Sequence, residues 1–353
     1  MQQPLLFDVR PSTFPRTRYQ GSKRKLASFI VDALQDLKFT TVLDAFGGTG
    51  AVSYALKQAG KAVTYNDVLS FNHQVGLALV ENEGVTLDEH DLADILHEHP
   101  GLNYPDFIER TFEGIYFTTE ENGWLDMAVT NIRAMPCRFK RAVAWFALFQ
   151  SALAKRPYNL FHRGNLNMRT ANVKRSFGNK TCWDRGFEEH FRAFAEEAGG
   201  AVFSSCEPCV ATCQDVLEIE PVFDLVNLDP PYLNAAGVGV DYRDFYHFLE
   251  GIMNYDVWPQ QLDRSSKHLR LKTRENGWCS HRTNREMFRR AFQRFRESII
   301  VVSYRSDGIP PIDDLSRLLR EVKRRVRIVE APSRPYALSI RRTTQEVLLI
   351  GTD

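Results

Sequence analysis

The amino-acid sequence predicts an α/β protein: an open, doubly wound sheet with helices on both faces, interrupted by an inserted, mainly helical region. Two observations predict it. Near the start, a strand, a glycine turn, a helix and a second strand follow one another between Thr40 and Asp67, which is how such sheets begin. After a long middle section of different character, the short apolar strands return, the first of them, FDLVNL at residues 223–228, ending directly in Asp229-Pro230-Pro231-Tyr232.

Each element follows from its pattern. Residues 1–16 hold three prolines and no periodicity, and read as an irregular arm. From Lys23 to Leu37, apolar residues at Leu26, Phe29, Ile30, Ala33, Leu34 and Leu37 keep a helical period. TTVLDA is a buried strand, FGGTG turns it into a helix over Ala51–Gln58, and Lys61–Tyr65 is the next strand. Residues 87–200 are helical in patches and read as the insertion, which leaves 1–86 and 201–353 as one discontinuous domain. SIIVVS at 298–303 is a further strand, and Arg325–Val329 with Glu346–Ile350 suit a terminal antiparallel pair.

The chain has 353 residues, 43% hydrophobic and 25% charged, which is an ordinary globular composition with material for a sizeable core. No apolar run reaches the roughly 18 residues that span a bilayer, and the N-terminus lacks the layout of a signal peptide. The expectation is a cytoplasmic protein with no membrane partner. A net charge of +1 hides an asymmetry. Residues 81–126 hold thirteen acidic side chains and one basic, whereas residues 132–185 hold twelve basic and one acidic. The acidic run reads as a solvated face. The basic run is interleaved with aromatics, Asn and Gly, which suits a polyanion. Cys206, Cys209 and Cys213 could begin a zinc site with Cys182, but no second Cys-x2-Cys follows; the reading is plain thiols and no metal.

Three segments carry the chemistry. Asp229-Pro230-Pro231-Tyr232 sits where open α/β sheets bind ligands, and its prolines fix the path of the flanking Asp and Tyr. The alternative is a Pro-Pro turn that only ends a strand. Phe46-Gly47-Gly48-Thr49-Gly50 lets backbone approach a ligand at a helix N-terminus. It is not a full Gly-x-Gly-x-x-Gly, so a dinucleotide reading is weak, but Asp67, seventeen residues after Gly50, is placed to hold a ribose diol. In Tyr19-Gln20-Gly21-Ser22-Lys23, Gly21-Ser22 can cap the next helix while Lys23 reaches a carboxylate and Tyr19 packs on the ligand.

In this order (RYQGSK, FGGTG, a long insertion, then DPPY) the segments resemble the alpha group of the DNA adenine methylase family over almost the whole chain. The resemblance implies a Rossmann-like methyltransferase sheet and transfer of a methyl group from S-adenosyl-L-methionine to the exocyclic amino group of adenine. It assigns Tyr19, Gly21, Lys23, Phe46, Gly47, Gly48, Thr49, Gly50, Asp67, Val68, Asp215, Val216 and Asp229 to the cofactor, and Asp229, Pro230, Pro231 and Tyr232 to catalysis. An adenine amino group is a poor nucleophile because its lone pair is delocalised into the ring. Acceptors on its hydrogens, the Asp229 carboxylate and the Pro230 carbonyl, would make it a better one, while Tyr232 stacks on the base.

A base inside a duplex must be flipped out to react. Residues 156–165 have the composition to hold double-stranded DNA around the gap: Arg156, Tyr158, Asn159, His162, Arg163 and Asn165, extended by Arg169, Lys174, Arg175 and Lys180. A second basic set runs from Arg264 to Arg290, and Asn234, Tyr242, Tyr246 and His247 could form a loop over the base. The rival readings are an RNA adenine methyltransferase and a silent nucleic-acid-binding regulator on the same fold. The long insertion suits a dedicated recognition sequence and hence restriction–modification, in which a separate cognate endonuclease would be the partner. A monomer is expected, because methylating one strand at a time needs no dyad.

Overall fold

The computed structural model describes residues 13–171, 179–233, 237, 239, 241–331 and 345–353. Among them a seven-stranded sheet runs in the order β3-β2-β1-β4-β5-β7-β6: β1 Thr41–Asp44, β2 Ala62–Asn66, β3 Val210–Thr212, β4 Leu225–Leu228, β5 Ile299–Arg305, β6 Arg325–Glu330 and β7 Glu346–Thr352. β3, β2, β1, β4 and β5 pair in parallel, and β7 runs antiparallel to both β5 and β6. The terminal antiparallel pair is thus present. β3, with three residues among the cysteines, was not foreseen.

The strands alternate as a two-faced sheet must. Val42, Leu225, Val301 and Ile350 face one core, which α1 (Ala27–Ala33) and α2 (Ala51–Gln58) cover. Leu43, Val226, Ile300 and Leu349 face a second core. Covering that second face are α14 (Asn284–Arg294) and α15 (Ile312–Arg320). At the base of the sheet the Asp224 carboxylate accepts the N–H groups of Thr40 and Thr41, both at 2.8 Å, and those bonds hold its pKa below the usual carboxylate range. This fixes β4 beside β1. The chain moves outward from β1 through β2 to β3 and then returns to β4 on the other side, so the gap above β1 and β4 is the topological switch point.

The middle of the chain is helical: α3 (Ser70–Gly76, continued by a π turn to Glu81), α4 (Glu89–Leu96), α5 (Phe107–Thr111), α6 (Thr119–Ala134), α7 (Arg138–Ala154), α8 (Leu166–Thr170), α9 (Asn179–Asp184) and α10 (Phe187–Ala201). Capping boxes start α4 at Asp88 and α6 at Thr118. α7 is buried around its whole circumference from Ala142 to Ala154, which marks it as the central helix of this region. Its core is completed by segments from after β4: α11 (Tyr242–Phe245), α12 (His247–Met253) and α13 (Trp258–Gln261) bring Tyr246, Phe248, Leu249 and Trp258 into the same apolar cluster. Part of the acidic run pairs with part of the basic run. Lys140 bridges Asp88 and Asp91, Arg138 meets Glu81, and Glu121 binds both Lys155 and Arg169. No described helix is long and apolar enough to cross a membrane.

Candidate active site

A cavity of about 280 Å³ opens above the carboxyl ends of β1, β2, β3 and β4. Twelve of the thirteen residues expected at a cofactor line it: Tyr19, Gly21, Lys23, Phe46, Gly47, Gly48, Thr49, Asp67, Val68, Asp215, Val216 and Asp229. The thirteenth, Gly50, stands just behind as the N-cap of α2 with φ +75°. Of the expected catalytic residues, Asp229 and Pro231 reach the cavity. Tyr232 leans edge-on against Tyr304, and the Lys23 ammonium lies 5.7 Å from its ring.

The glycine turn is shaped by what lies beneath it. Tyr65 at the end of β2 is fully buried, and its hydroxyl donates to the carbonyl oxygens of Gly48 (2.8 Å) and Asn72 (2.9 Å). A Cβ on Gly47 would lie 2.1 Å from that ring. Gly48 has φ +51°, and its N–H donates to Asp67 Oδ2 at 2.9 Å. Asp67 also accepts from Leu69 N and Asn72 Nδ2, so its carboxylate is aimed before any ligand arrives. Burial pushes its pKa up to about 6, despite these donors. Val68 beside it is 63% exposed, an apolar side chain held in the open at the mouth.

The N-terminal segment forms one wall. The Tyr19 ring stacks on Tyr246 at 4.4 Å and on Tyr242 at 5.5 Å. Gln20 N donates to Tyr246 Oη at 2.7 Å. Lys23 is buried, its Nζ 2.9 Å from Glu346 Oε2 and 3.2 Å from Asp229 Oδ1. Burial opposes the ammonium charge, but Asp229, Tyr232 and Glu346 together raise its pKa well above normal, so it stays charged. Burial pushes Asp229 up to about 7 against the pull of Lys23. Asp229 Oδ1 is buried and accepts no hydrogen bond among the described residues. Behind it, Asp44 at the end of β1 accepts from Ser53 and Asn227.

Comparison with known proteins bears on what this cavity does. The family model described as D12 class N6 adenine-specific DNA methyltransferase matches residues 19–307, which take in all three motif segments. The chain belongs to that family. Type II methyltransferase M2.HphI of Haemophilus parahaemolyticus is 26% identical over 327 residues, 90% of this chain and 91% of that protein. Modification methylase LlaI of Lactococcus lactis subsp. lactis is 23% identical over 321 residues, 86% of this chain and 48% of that protein. The enzyme is an adenine-specific DNA methyltransferase, as its motifs led one to expect.

The residues expected on DNA divide. Arg156 is a correction: it is 1% exposed and binds inward. Its guanidinium donates to the carbonyl oxygens of Leu160, Tyr116 and Arg163, and lies over the Tyr116 and Phe161 rings. Burial lowers its pKa to about 9, which leaves it charged at neutral pH. Arg169 is a second correction, buried and bidentate on Glu121. Composition marked both as phosphate ligands because a chain's charge count does not say which charges turn inside. Lys180 is half-exposed and paired with Asp184. Lys174, Arg175 and the loop residue Asn234 lie outside the described residues. Arg163 is exposed, as is Tyr158, at 65%. Tyr158, Asn159 and Asn165 all have left-handed backbone, with φ of 62°, 56° and 59°. His162 is half-buried against the Phe245 ring. The loop docks beside the cavity, because Phe161 N donates to Phe245 O at 2.9 Å on α11, whose Tyr242 lines the cavity.

From the later basic set, Arg274 lines the cavity, and Arg264, Lys267, Lys272, Arg282, Arg285 and Arg290 are exposed. Tyr246 and His247 are buried; burial takes His247 down to about 3, which makes it neutral. Cys209 is buried, Cys206 and Cys213 are exposed, and the described residues hold no metal-binding group of three or more His, Cys, Asp or Glu. Glu346, Asn72, Glu250 and Trp278 at the site were not foreseen. The isolated acid opening the apolar run EVLLI was the one available signal for Glu346.

Two outcomes follow from this packing. Gly47→Ala is expected to lower stability by about 1–3 kcal/mol, because Tyr65 cannot retreat, and to weaken ligand binding in the cavity; an unchanged melting temperature and affinity would refute the fit. Arg156→Ala strands three carbonyl oxygens and should cost about 3 kcal/mol or more in urea unfolding, and a wild-type midpoint would show the guanidinium to be dispensable.

Proposed function

We propose that the enzyme uses S-adenosyl-L-methionine to methylate the N6 amino group of adenine in double-stranded DNA, and that it flips the target base into the cavity to do so. The observation that carries this reading is Asp229 Oδ1, a buried acceptor with a charge contact to Lys23 but no aligned hydrogen bond, in the wall of a cavity that the Gly47-Gly48 turn and Asp67 also line. An orphaned acceptor in a native site is costly unless a ligand completes it.

The residues present fit the cofactor. Gly48 leaves room for close approach, Asp67 is oriented for a diol, and exposed Val68 with Val216 offers apolar contact for a flat ring. When bound, the cofactor supplies a methyl group on a positively charged sulfur and leaves as a neutral thioether. The chain's own part is to hold the amine. Asp229 accepts one amino hydrogen and the Pro230 carbonyl the other, which moves the nitrogen toward tetrahedral geometry and localises its lone pair for the new N–C bond. The nitrogen then sheds one proton, for which the Asp229 carboxylate is the adjacent base. In this reading Tyr232, which packs on Tyr304 behind the cavity lining, would have to turn to stack on the base.

For the duplex, residues 87–200 form the target-recognition region, with 246–271 packed into the same core. Arg163, Asn159, His162 and Asn165 face DNA, Tyr158 presents an aromatic surface to it, and the basic residues from Arg264 to Arg290 grip the other side. The two relatives are named as a type II methyltransferase and a modification methylase. By that likeness this enzyme protects DNA in a restriction–modification pair, acting in the cytoplasm as a monomer beside a separate endonuclease.

Transfer of labelled methyl groups to unmethylated duplex DNA, with the nucleosides identified by mass spectrometry, should give N6-methyladenine confined to one short sequence. Asp229→Ala should abolish that transfer while the fold persists; near-wild-type turnover would end the assignment. Arg163→Ala should reduce the slope of log affinity against log salt by about one. An unaltered slope would remove Arg163 from the interface.

A further inference from the structure

The cavity contains a buried charge arrangement that none of the motifs accounts for. Glu346, the first residue of β7, is 7% exposed, and Lys23 is 8% exposed. The ammonium stands between two carboxylates, yet its hydrogen bond goes to Glu346 Oε2, and Asp229 Oδ1, only 3.2 Å away, accepts none among the described residues. A buried ammonium has three donors and ordinarily binds whatever carboxylate is in reach. Here Glu346, on the last strand, draws the ammonium toward itself, so that the aligned hydrogen bond goes to Oε2 and Asp229 Oδ1 keeps a charge contact without an aligned donor.

We propose that Glu346 is a positioning residue for methyl transfer: by holding the Lys23 hydrogen bond, it keeps Asp229 Oδ1 vacant for an amino hydrogen of the target adenine. This rests on Asp229 being the acceptor, as above. Neutralising Glu346 would leave Lys23 with Asp229 alone. The ammonium would then turn onto Oδ1 and compete with the substrate for it. The same change weakens Asp229 as a base. The groups around its carboxylate are Lys23 from the turn before α1, Glu346 from β7, Asp44 from β1 and the neighbouring Tyr232, over whose ring Arg305 of β5 lies at 5.6 Å. Of these, Lys23 pulls the Asp229 pKa down, and Glu346 and Asp44 push it up. Loss of Glu346 therefore lowers it, whereas loss of Lys23 and Glu346 together raises it, since Lys23 acts more strongly.

The test compares Glu346→Gln, Glu346→Asp and the paired Lys23→Met/Glu346→Leu variant in the full-length protein. Carboxyl-13C-labelled aspartate gives the Asp229 titration by NMR without cofactor or DNA, its signal assigned by its loss in Asp229→Asn. The wild-type midpoint is expected at about 7. In Glu346→Gln it should fall, the acid limb of the transfer rate should move with it, and the plateau rate should drop about tenfold or more, the worth of a hydrogen bond to a charged group. Glu346→Asp should recover most of the rate. The paired variant should titrate above wild type. If Glu346→Gln does not fold, the paired variant, which removes both buried charges at once, decides by that upward shift. A folded Glu346→Gln with wild-type midpoint and rate, or a paired variant whose midpoint stays or falls, overturns the proposal. Neither result touches the reading of Asp229 itself, which fails only if Asp229→Ala still transfers.

Discussion

The active-site wall depends on one buried ammonium. Lys23 belongs to a segment that precedes the first strand, Asp229 to the turn after the fourth, and Glu346 to the last strand of the sheet. The sheet carries β7 past β5 to within reach of the turn after β4, and the shared charge ties the N-terminal segment to both. Burying such a group is unfavourable unless its partners compensate. Two carboxylates, those of Glu346 and Asp229, stand against this one ammonium. The mutual stacking of Tyr19, Tyr242 and Tyr246 fixes the same segment from its other end. A Cβ at Gly21 would lie 2.4 Å from Tyr242 Oη, so the turn between the two anchors has no spare room. The N-terminal motif is therefore held at both ends against residues that follow β4, and the cofactor side and the base side of the cavity share that wall.

The charge segregation that was conspicuous in the sequence has two different outcomes. One part of each run pairs with the other: Lys140 with Asp88 and Asp91, Arg138 with Glu81, Lys155 and Arg169 with Glu121. Glu121 shows the balance, since burial alone would raise its pKa and the two cations pull it below normal. What stays exposed is a subset that includes Arg163 and the basic residues Arg264, Lys267, Lys272, Arg282, Arg285 and Arg290 after β4. A linear count of charges could not make this distinction, because pairing depends on which helices meet.

The parts of the site that were legible are those in which one residue type is required at one spot. Gly47 has to lack a side chain because Tyr65 lies under it, and Asp67 sits at a strand end where backbone donors converge; such needs leave local patterns. β3 left almost none, being three residues long, and its pairing with β2 is what places Asp215 and Val216 at the cavity. Arg156 was read correctly as important and wrongly as outward-facing, since an arginine that binds carbonyl oxygens and one that binds phosphates have the same neighbours in sequence. Glu346 was invisible for a related reason: its partner is 323 residues away.

The inward turn of Arg156 nevertheless bears on recognition. Tyr158 and Asn159 hold consecutive left-handed conformations, each costing on the order of 1–3 kcal/mol for a residue with a side chain. Such a turn persists only where the surroundings over-determine it. Arg156, which precedes the turn, does this by gripping carbonyl oxygens that follow it, at Leu160 and Arg163, while resting on Tyr116, whose hydroxyl in turn contacts Phe161 O, His247 and His268 O. Because burial leaves His247 neutral, this support does not loosen as pH falls through the physiological range. The exposed Tyr158 thus sits on a turn whose backbone is fixed by buried structure. A backbone held in this way has already lost on folding the ordering entropy that a loose loop would lose on meeting a partner.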